Sequence, residues 1–263
     1  MSRQSPNIQP ADTLRIRYRI RFAKTGLLRW ISHRDLARLW ERIARRVRLP
    51  LGMTEGFHPT PRIAFPSALP LGVESLDEVV EIELTEKLDP SDLHRRLAED
   101  HQPGLEILQV DRLPPRHPKG RLEASDYRVD LPDDWDAEKE SPELNRAIEC
   151  LLAHEMISID RKGKTVHAHV DTHLPLLRLQ TDHLAMRLVF GDGPSLKVTD
   201  VLNLLGLTDW LDRGATIVRT AVQLRGDDPP EQTLLPAGVH AKPSTGSTHP
   251  ADRSHHPEQG DLS

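Results

Sequence analysis

The chain has 263 residues, a net charge of −5 and 37% hydrophobic residues, enough for one large domain or two small ones. It has no apolar run of about 18 residues that would cross a membrane, and the polar N-terminus predicts no secretory signal. Its single cysteine, Cys150, excludes internal disulfides and cysteine-based metal or cluster sites. We therefore expect a cytoplasmic protein that makes no membrane contact.

Positive charge is concentrated near the N-terminus. From Arg15 to Arg48 the sequence has twelve Arg or Lys residues against two acids, Asp35 and Glu41. The acids gather later, as in the DLPDDWDAEKE stretch that begins at Asp130. This asymmetry predicts a polyanion or an acidic partner near the N-terminal end.

The first elements are a strand and an amphipathic helix. LRIRYRIRF at 14–22 alternates apolar and basic residues, which predicts a half-buried strand. Ser32 with Asp35 three residues later is typical of a helix N-terminus, and Pro50 ends the helix. Apolar residues at spacings of three and four predict its buried stripe: Leu36, Leu39, Trp40, Ile43, Ala44 and Val47.

A proline-rich apolar loop follows the helix, GFHPTPRIAFPSALPLG at 56–72, with a short strand expected at 62–65. The later pattern predicts a strand at 78–84, a helix at about 90–100 and a strand at 105–113. The order β-α-β-β-α-β is that of a split βαβ, or ferredoxin-like, unit.

The element order then repeats. Ser141 and Pro142 are typical of a helix start. The predicted elements are a strand at 122–131, that helix, a hairpin at 156–160 and 164–171, a strand at 183–190, a helix at 198–205 and a strand at 215–224. We predict an α+β fold of two tandem ferredoxin-like units, over residues 14–115 and 116–226. Residues 1–13 and 227–263 are predicted to be disordered because they are polar and lack periodicity.

Two interpretations fit the arginines of the first strand. RNA-recognition sheets of this topology bind across an open face, but they carry stacking aromatic residues there. In this sequence the aromatic residues of the strand point inward. Glu81 and Glu83 on the neighbouring strand are expected to lie opposite the arginines, which favours cross-strand ion pairs.

The first helix carries a second basic surface, with Glu41 as its nearest acid. A solvated helix face and a phosphate-binding face remain equal alternatives. The residues concerned are Arg29, Arg34, Arg38, Arg42, Arg45 and Arg46.

Histidines at alternate positions in HAHVDTH resemble metal ligands. His167, His169 and His173 would share one strand face with Asp171. Residues two apart on a straight strand are about 7 Å apart, so three of them do not readily reach one ion. We therefore predict no metal site, and these histidines are the candidate ligands if a metal is bound.

His33 and His58 are the candidate acid–base residues, since histidine titrates near neutral pH. His33 begins the basic helix and His58 lies in the proline-rich loop. The sequence has neither a GxGxxG pattern nor a phosphate-binding GxxxxGK[ST] loop.

Two long motifs resemble the radical SAM-linked protein family, whose domains occur alone or fused C-terminal to radical SAM proteins. RIRFAKTGLLRWISHRD matches its first pattern through Lys24, Gly26, Arg29, Ser32, His33 and Asp35. EGFHPTPRIAFPSALPLGVES matches the second through Gly56, Phe57, Pro59, Pro61, Phe65, Pro70, Gly72 and Glu74.

The resemblance implies a non-catalytic accessory protein of a radical SAM enzyme. The chain has no CxxxCxxC motif, so S-adenosylmethionine and the iron–sulfur cluster would belong to the partner, and this chain would need no cofactor. We expect it to bind RNA or the enzyme through the basic helix and the loop. The expected contact residues are Arg29, His33, Arg34, Arg38, Arg42, Gly56, Phe57, Pro59 and Arg62.

The alternative is a metal-independent endoribonuclease. The tandem ferredoxin-like order is similar to that of CRISPR repeat-processing endoribonucleases, which often use a histidine near the first helix. His33 or His58 would then be catalytic. This similarity is one of fold, which argues weakly for function.

Overall fold

A computed structural model describes residues 15–161, 163–191 and 195–227. The predicted disorder of residues 1–13 and of the tail from 228 lies outside these residues. Asp227, the first residue of the predicted tail, has a defined position and donates its backbone N–H to Leu224. No described helix is both long and apolar enough to cross a membrane.

Ten strands and five α-helices make up the described fold. The strands are β1 (Ile16–Lys24), β2 (Ile63–Ala64), β3 (Glu74–Leu84), β4 (Leu105–Arg112), β5 (Leu122–Asp130), β6 (Met156–Arg161), β7 (Lys164–His169), β8 (Leu176–Leu179), β9 (His183–Val189) and β10 (Ile217–Leu224). The helices are α1 (His33–Arg46), α2 (Pro90–Ala98), α3 (Ala137–Leu152), α4 (Val170–His173) and α5 (Val198–Leu204), and a 3₁₀ turn spans Gly26–Trp30.

Two ferredoxin-like units are present, as predicted. In the first half β4, β1, β3 and β2 lie side by side, which is the order 4-1-3-2 of a split βαβ unit. In the second half β10, β5, β9 and β8 repeat the same order. Helices α1 and α2 connect the strands of the first half, and α3 and α5 connect those of the second.

The two halves share one eight-stranded sheet. Strand β10 pairs with β3 in parallel, and Val218 lies opposite Glu74 while Arg219 lies opposite Ser75. All the other pairs in this sheet are antiparallel. We call this parallel contact between β3 and β10 the seam.

The second half differs from the prediction in three places. The β6–β7 hairpin forms at the predicted position but is a separate two-stranded sheet, and the unpredicted β8 takes its place in the main sheet. Strand β7 ends at His169, because residues 170–173 turn into the short helix α4. Helix α3 begins at Ala137, capped by Asp136, so Pro142 lies inside it.

Helix α1 follows its sequence closely. The Ser32 side chain accepts a hydrogen bond from the Asp35 backbone N–H, so one free donor of the first turn is satisfied. Its apolar stripe packs on β1, where the rings of Phe22 and Trp40 meet edge to face with centroids 5.0 Å apart. The second half has its own core, in which Trp135 and Trp210 make a similar contact at 5.4 Å.

Candidate functional site

The arginines of β1 are paired with carboxylates. Glu81 is a cross-strand partner, as predicted, whereas Glu83, the other predicted partner, lies 3.5 Å from Arg62 and forms no ion pair with any described arginine of β1. Arg19 and Arg17 lie 3.0 and 3.7 Å from the Glu81 carboxylate. Arg21 lies 2.7 Å from Asp77, and Asp227 is within 3.1 Å of both Arg19 and Arg21. These pairs neutralise the arginine face that an RNA-binding sheet would use.

The exposed side of α1 keeps more of its charge. Arg38 lies 3.4 Å from Asp35, and Arg45 lies 3.8 Å from Glu41. Arg34 and Arg42 are exposed and make no hydrogen bond or ion pair with any described residue. Arg46, at the end of the helix, is bound by Asp100 at 2.6 Å.

The two candidate acid–base histidines lie on different elements. His33 is the first residue of α1, and its ring packs edge to face on Phe65 at 5.2 Å. His58 is exposed in the loop. Neither side chain makes a hydrogen bond or ion pair within the part of the chain that the structure describes.

The beginning of the proline-rich loop forms a turn with the residues just before it. Residues 53–61 fold back on themselves, with a bridge between Met53 and Pro61, and we call them the outer part of the loop. Gly56, Phe57 and Pro59 form the exposed outer end of this part, and the Phe57 side chain is 101% exposed. Arg62 closes its base by donating from Nε to the Met53 carbonyl at 3.0 Å, and it lies 3.5 Å from Glu83.

Two of the candidate metal-binding histidines make local hydrogen bonds instead. His167 contacts the Ser158 hydroxyl at 2.9 Å across the β6–β7 hairpin. His173 Nδ1 lies 3.0 Å from the carbonyl of His169, one turn earlier. No group of three metal-ligating side chains suited to an ion occurs among residues 15–161, 163–191 and 195–227.

Residues from both motifs meet at one place, beside the seam. The Gly72 backbone N–H donates to the Arg29 carbonyl at 2.8 Å. Glu74 accepts from Arg29 Nη1 at 3.3 Å and from the Gly26 N–H at 3.2 Å. Gly72 has φ +81°, and a Cβ there would lie 3.2 Å from the Trp30 ring, so both conformation and space favour glycine.

The residues that make this contact belong to one wall of a cleft of about 750 Å³ between the two halves. Residues 66–73 and the 3₁₀ turn line the first wall. The opposite wall comes from β5, β9 and the segments at 195–199 and 211–217. Trp30, Leu71 and Leu211 stand exposed at the cleft, so its margin is apolar.

Polar groups converge on the buried side of the cleft. Arg219 on β10 is 2% exposed and donates to Glu78 and Ser67 at 2.8 and 2.9 Å. It also donates from Nε and Nη2 to the Tyr127 hydroxyl at 3.0 and 2.9 Å. Arg219 and Tyr127 both line the cleft, so a guanidinium and a phenol lie side by side on its buried side.

Burial shifts the pKa of two residues beside this cluster. Burial raises the pKa of Glu78, against the opposing effects of Arg219 and Ser75. Burial lowers the pKa of Lys24, which is 1% exposed, while Glu78 and Glu74 act to raise it. Perturbed groups beside a cleft are a feature of functional sites.

Sequence reasoning missed this cleft, since its lining comes from six separated stretches of chain. Two signals pointed toward it. Lys24 departs from the alternation of β1, and Arg219 interrupts the otherwise apolar run IVRTAV. A single charge in a buried strand needs a partner, and for Arg219 that partner is Glu78.

Comparison with known proteins identifies a family for this chain but no activity. No curated protein sequence matches this chain. Among solved structures, the small subunit of acetolactate synthase from Thermotoga maritima is 13% identical and aligns over 82% of this chain and 99% of its own, with a TM-score of 0.21. That score is too low to support a conclusion about fold or function.

A family model described as "uncharacterized protein conserved in bacteria" matches residues 17–198. The match includes both motifs, nearly all of the first unit and the second as far as the start of α5. Because it covers more than half of the chain, this protein belongs to that bacterial family, DUF2344.

Proposed function

We propose that this protein is a non-catalytic accessory protein that docks on a radical SAM enzyme through α1 and the outer part of the loop. We infer the docking surface from one observation. The four arginines from Arg15 to Arg21 are all paired with carboxylates, whereas Arg34 and Arg42 on α1 are exposed and form no ion pair with a described residue. Unpaired charge on an ordered helix favours an acidic partner.

Exposed apolar residues on the same half favour a protein over RNA as that partner. Phe57 is fully exposed and Met53 is 44% exposed at the outer part of the loop. Aromatic residues, Met and Arg are enriched in protein interfaces, so this combination of side chains suits a protein partner. The neutralised arginines of β1 argue against a sheet-type RNA surface there.

The identity of the partner rests on the two motifs that resemble radical SAM-linked proteins. The enzyme would bring S-adenosylmethionine and the iron–sulfur cluster, and this chain would bring a docking surface. Arg29 is assigned to the cleft and not to this surface, since it lies beside Glu74 and Trp30.

The test is binding of the purified chain to the radical SAM enzyme of the same organism, measured by biolayer interferometry. The variant carries Arg34→Ala, Arg38→Ala and Arg42→Ala together. We expect its Kd to rise about tenfold or more, because removing interface charges weakens association. A matched control replaces three exposed arginines elsewhere, Arg112, Arg146 and Arg178, and is expected to bind as the wild type does.

Three results would overturn the proposal. The first is an unchanged Kd in the α1 variant. The second is RNA binding that is lost in the same variant while the enzyme is not bound. The third is RNA cleavage that disappears with His33→Ala or His58→Ala, which would establish the endoribonuclease alternative.

A further inference from the structure

The cleft between the two halves has the size and composition of a small-molecule site. Its volume of about 750 Å³ lies within the range of roughly 300–1,000 Å³ that is usual for such sites. Most of its lining is apolar, with side chains such as Pro66, Leu71, Leu122, Leu188 and Phe190. Apolar walls with a few convergent polar groups are the common pattern of ligand pockets.

Arg219 has one donor left over on this surface. A guanidinium carries five N–H donors. Four of them are used, since Nε donates to Tyr127, Nη1 donates to Ser67 and Glu78, and Nη2 donates to Tyr127. The second N–H of Nη2 has no acceptor among the described residues.

Tyr127 supplies a second free donor next to the first. Its hydroxyl oxygen accepts two hydrogen bonds from Arg219, which fills its acceptor capacity and leaves its own proton to be donated. No described residue accepts that proton. Because Nη2 lies 2.9 Å from this oxygen, the two free donors are adjacent.

The charged lining favours an anion. Three cationic residues line the cleft, Arg29, Lys197 and Arg219, and no Asp or Glu is among its described lining residues. Glu74 and Glu78 pair with Arg29 and Arg219 but do not line the cleft. A ligand therefore meets cations, N–H and O–H donors and apolar walls.

We propose that this cleft binds a small amphipathic carboxylate, with its carboxylate on Arg219 and Tyr127 and its apolar body between Leu71 and Leu188. Two adjacent free donors match the two oxygens of one carboxylate. A phosphate has three terminal oxygens and would leave at least one of them unmatched by these donors. This site is separate from the docking surface on α1.

The first test uses isothermal titration calorimetry with the full-length protein. The probes are 4-phenylbutyrate and octanoate, each beside the alcohol of the same length, with acetate as the anion without an apolar body. We expect the carboxylates to bind at least about tenfold more tightly than the alcohols and acetate, since a charge-assisted hydrogen bond is the stronger kind. Absence of saturable binding by both carboxylates, or equal binding of the alcohols, overturns the proposal.

A matched pair of variants tests the phenol. The chain has two tyrosines, and each is buried with a hydrogen-bonded hydroxyl. Tyr127→Phe is expected to weaken 4-phenylbutyrate binding roughly fivefold to tenfold, because it removes the phenol donor and also the hydroxyl oxygen that positions the Arg219 guanidinium. Tyr18→Phe, whose hydroxyl bonds the Leu88 backbone, is the control and should leave the affinity unchanged.

A second pair tests charge at the opening without disturbing the core. Leu71 is 64% exposed, so Leu71→Asp and Leu71→Asn are both expected to fold. The aspartate should weaken carboxylate binding more than the asparagine does, and added salt should reduce the difference. Leu27→Asp, on the 3₁₀ turn but outside the cleft, is the positional control. Equal affinities for Leu71→Asp and Leu71→Asn contradict the proposed anion site.

Discussion

Lys24 is the residue whose burial is hardest to reconcile with its charge. It is 1% exposed, and no hydrogen bond or ion pair within 4.0 Å holds its ammonium among the described residues. Desolvation disfavours the charged form, and the more distant Glu78 and Glu74 compensate only in part. The net result is a lowered pKa, which means that the folded state binds this proton less well than the unfolded chain does.

This imbalance predicts how Lys24→Met changes stability with pH. Between the lowered pKa and the ordinary value of 10.5, the unfolded chain binds more protons than the folded protein. The free energy of unfolding of the wild type therefore rises with pH across that window and is constant above it, as far as this group is concerned. Met has a similar shape without charge, so we expect Lys24→Met to be more stable than wild type at pH 7.

The measurement is urea unfolding of both proteins from pH 7 to pH 10. The advantage of Lys24→Met should shrink as the pH approaches 10.5, the ordinary value for lysine. Lys87→Met, at an exposed position, serves as the control and should show a difference from wild type that does not change with pH. A less stable Lys24→Met at pH 7 would show that attraction by Glu78 and Glu74 outweighs desolvation.

Helix α1 shows how local sequence determines an element. Ser32 accepts from the Asp35 N–H at 3.2 Å and donates its hydroxyl proton to the Asp35 carboxylate at 2.7 Å. The hydrogen bond from Ser32 lowers the pKa of Asp35, with a smaller contribution from Arg38. The cap, the acidic residue in the first turn and the apolar stripe all indicate the same helix. This is why the sequence predicted the helix to within a few residues.

We expect Ser32→Ala to reduce the free energy of unfolding by roughly 1 kcal/mol, the usual effect of losing such a cap. The loss should be greatest above the pKa of Asp35 and smaller in acid, because protonation weakens the same contact in the wild type. Chemical denaturation at pH 7 and pH 3 measures both effects. Thr181→Ala, an exposed change outside any helix, is the control. A similar loss of unfolding free energy in that variant would show that the effect of Ser32→Ala does not come from the helix cap.

Elements with weaker local signals were predicted less well. The β6–β7 hairpin has the right alternation and turn, but alternation is the same whichever sheet a strand joins. β8 has four residues, LLRL, and follows Pro175, so its pattern was too short to identify. α3 begins earlier than the proline pattern suggested because Asp136 accepts from the Lys139 N–H and caps it.

At the scale of the whole molecule, the pairing of β3 with β10 could not be predicted from the sequence. Val218 and Glu74 pair although they are far apart in the chain, and no local pattern in IVRTAVQL names that partner. The cleft and its buried cluster exist because this pairing brings β3 and β10 together. The candidate docking residues on α1 were predictable because they lie on one periodic element, whereas Arg219 and Tyr127 became neighbours only through the sheet.

Several polar contacts cross the seam, and one of them is a buried ion pair. Arg219 Nη1 lies 2.8 Å from Glu78, with both side chains at most 3% exposed. Asp77 accepts from the Val222 N–H at 2.9 Å, and Arg21 donates to the Val222 carbonyl at 3.1 Å. One half cannot separate from the other without exposing these groups unpaired, so we expect the two halves to unfold together.

Native-state hydrogen exchange measures this directly by comparing the slowest amides of β1 and β9. In the wild type they should report the same opening free energy. Arg219→Met leaves Glu78 buried without its cation, which typically costs about 3–5 kcal/mol, and it should make the two values diverge. Arg187→Met removes an arginine whose 2.9 Å pair with Asp126 lies within the second half, and it should keep them equal. Unequal values in the wild type would mean that the seam does not couple the two halves.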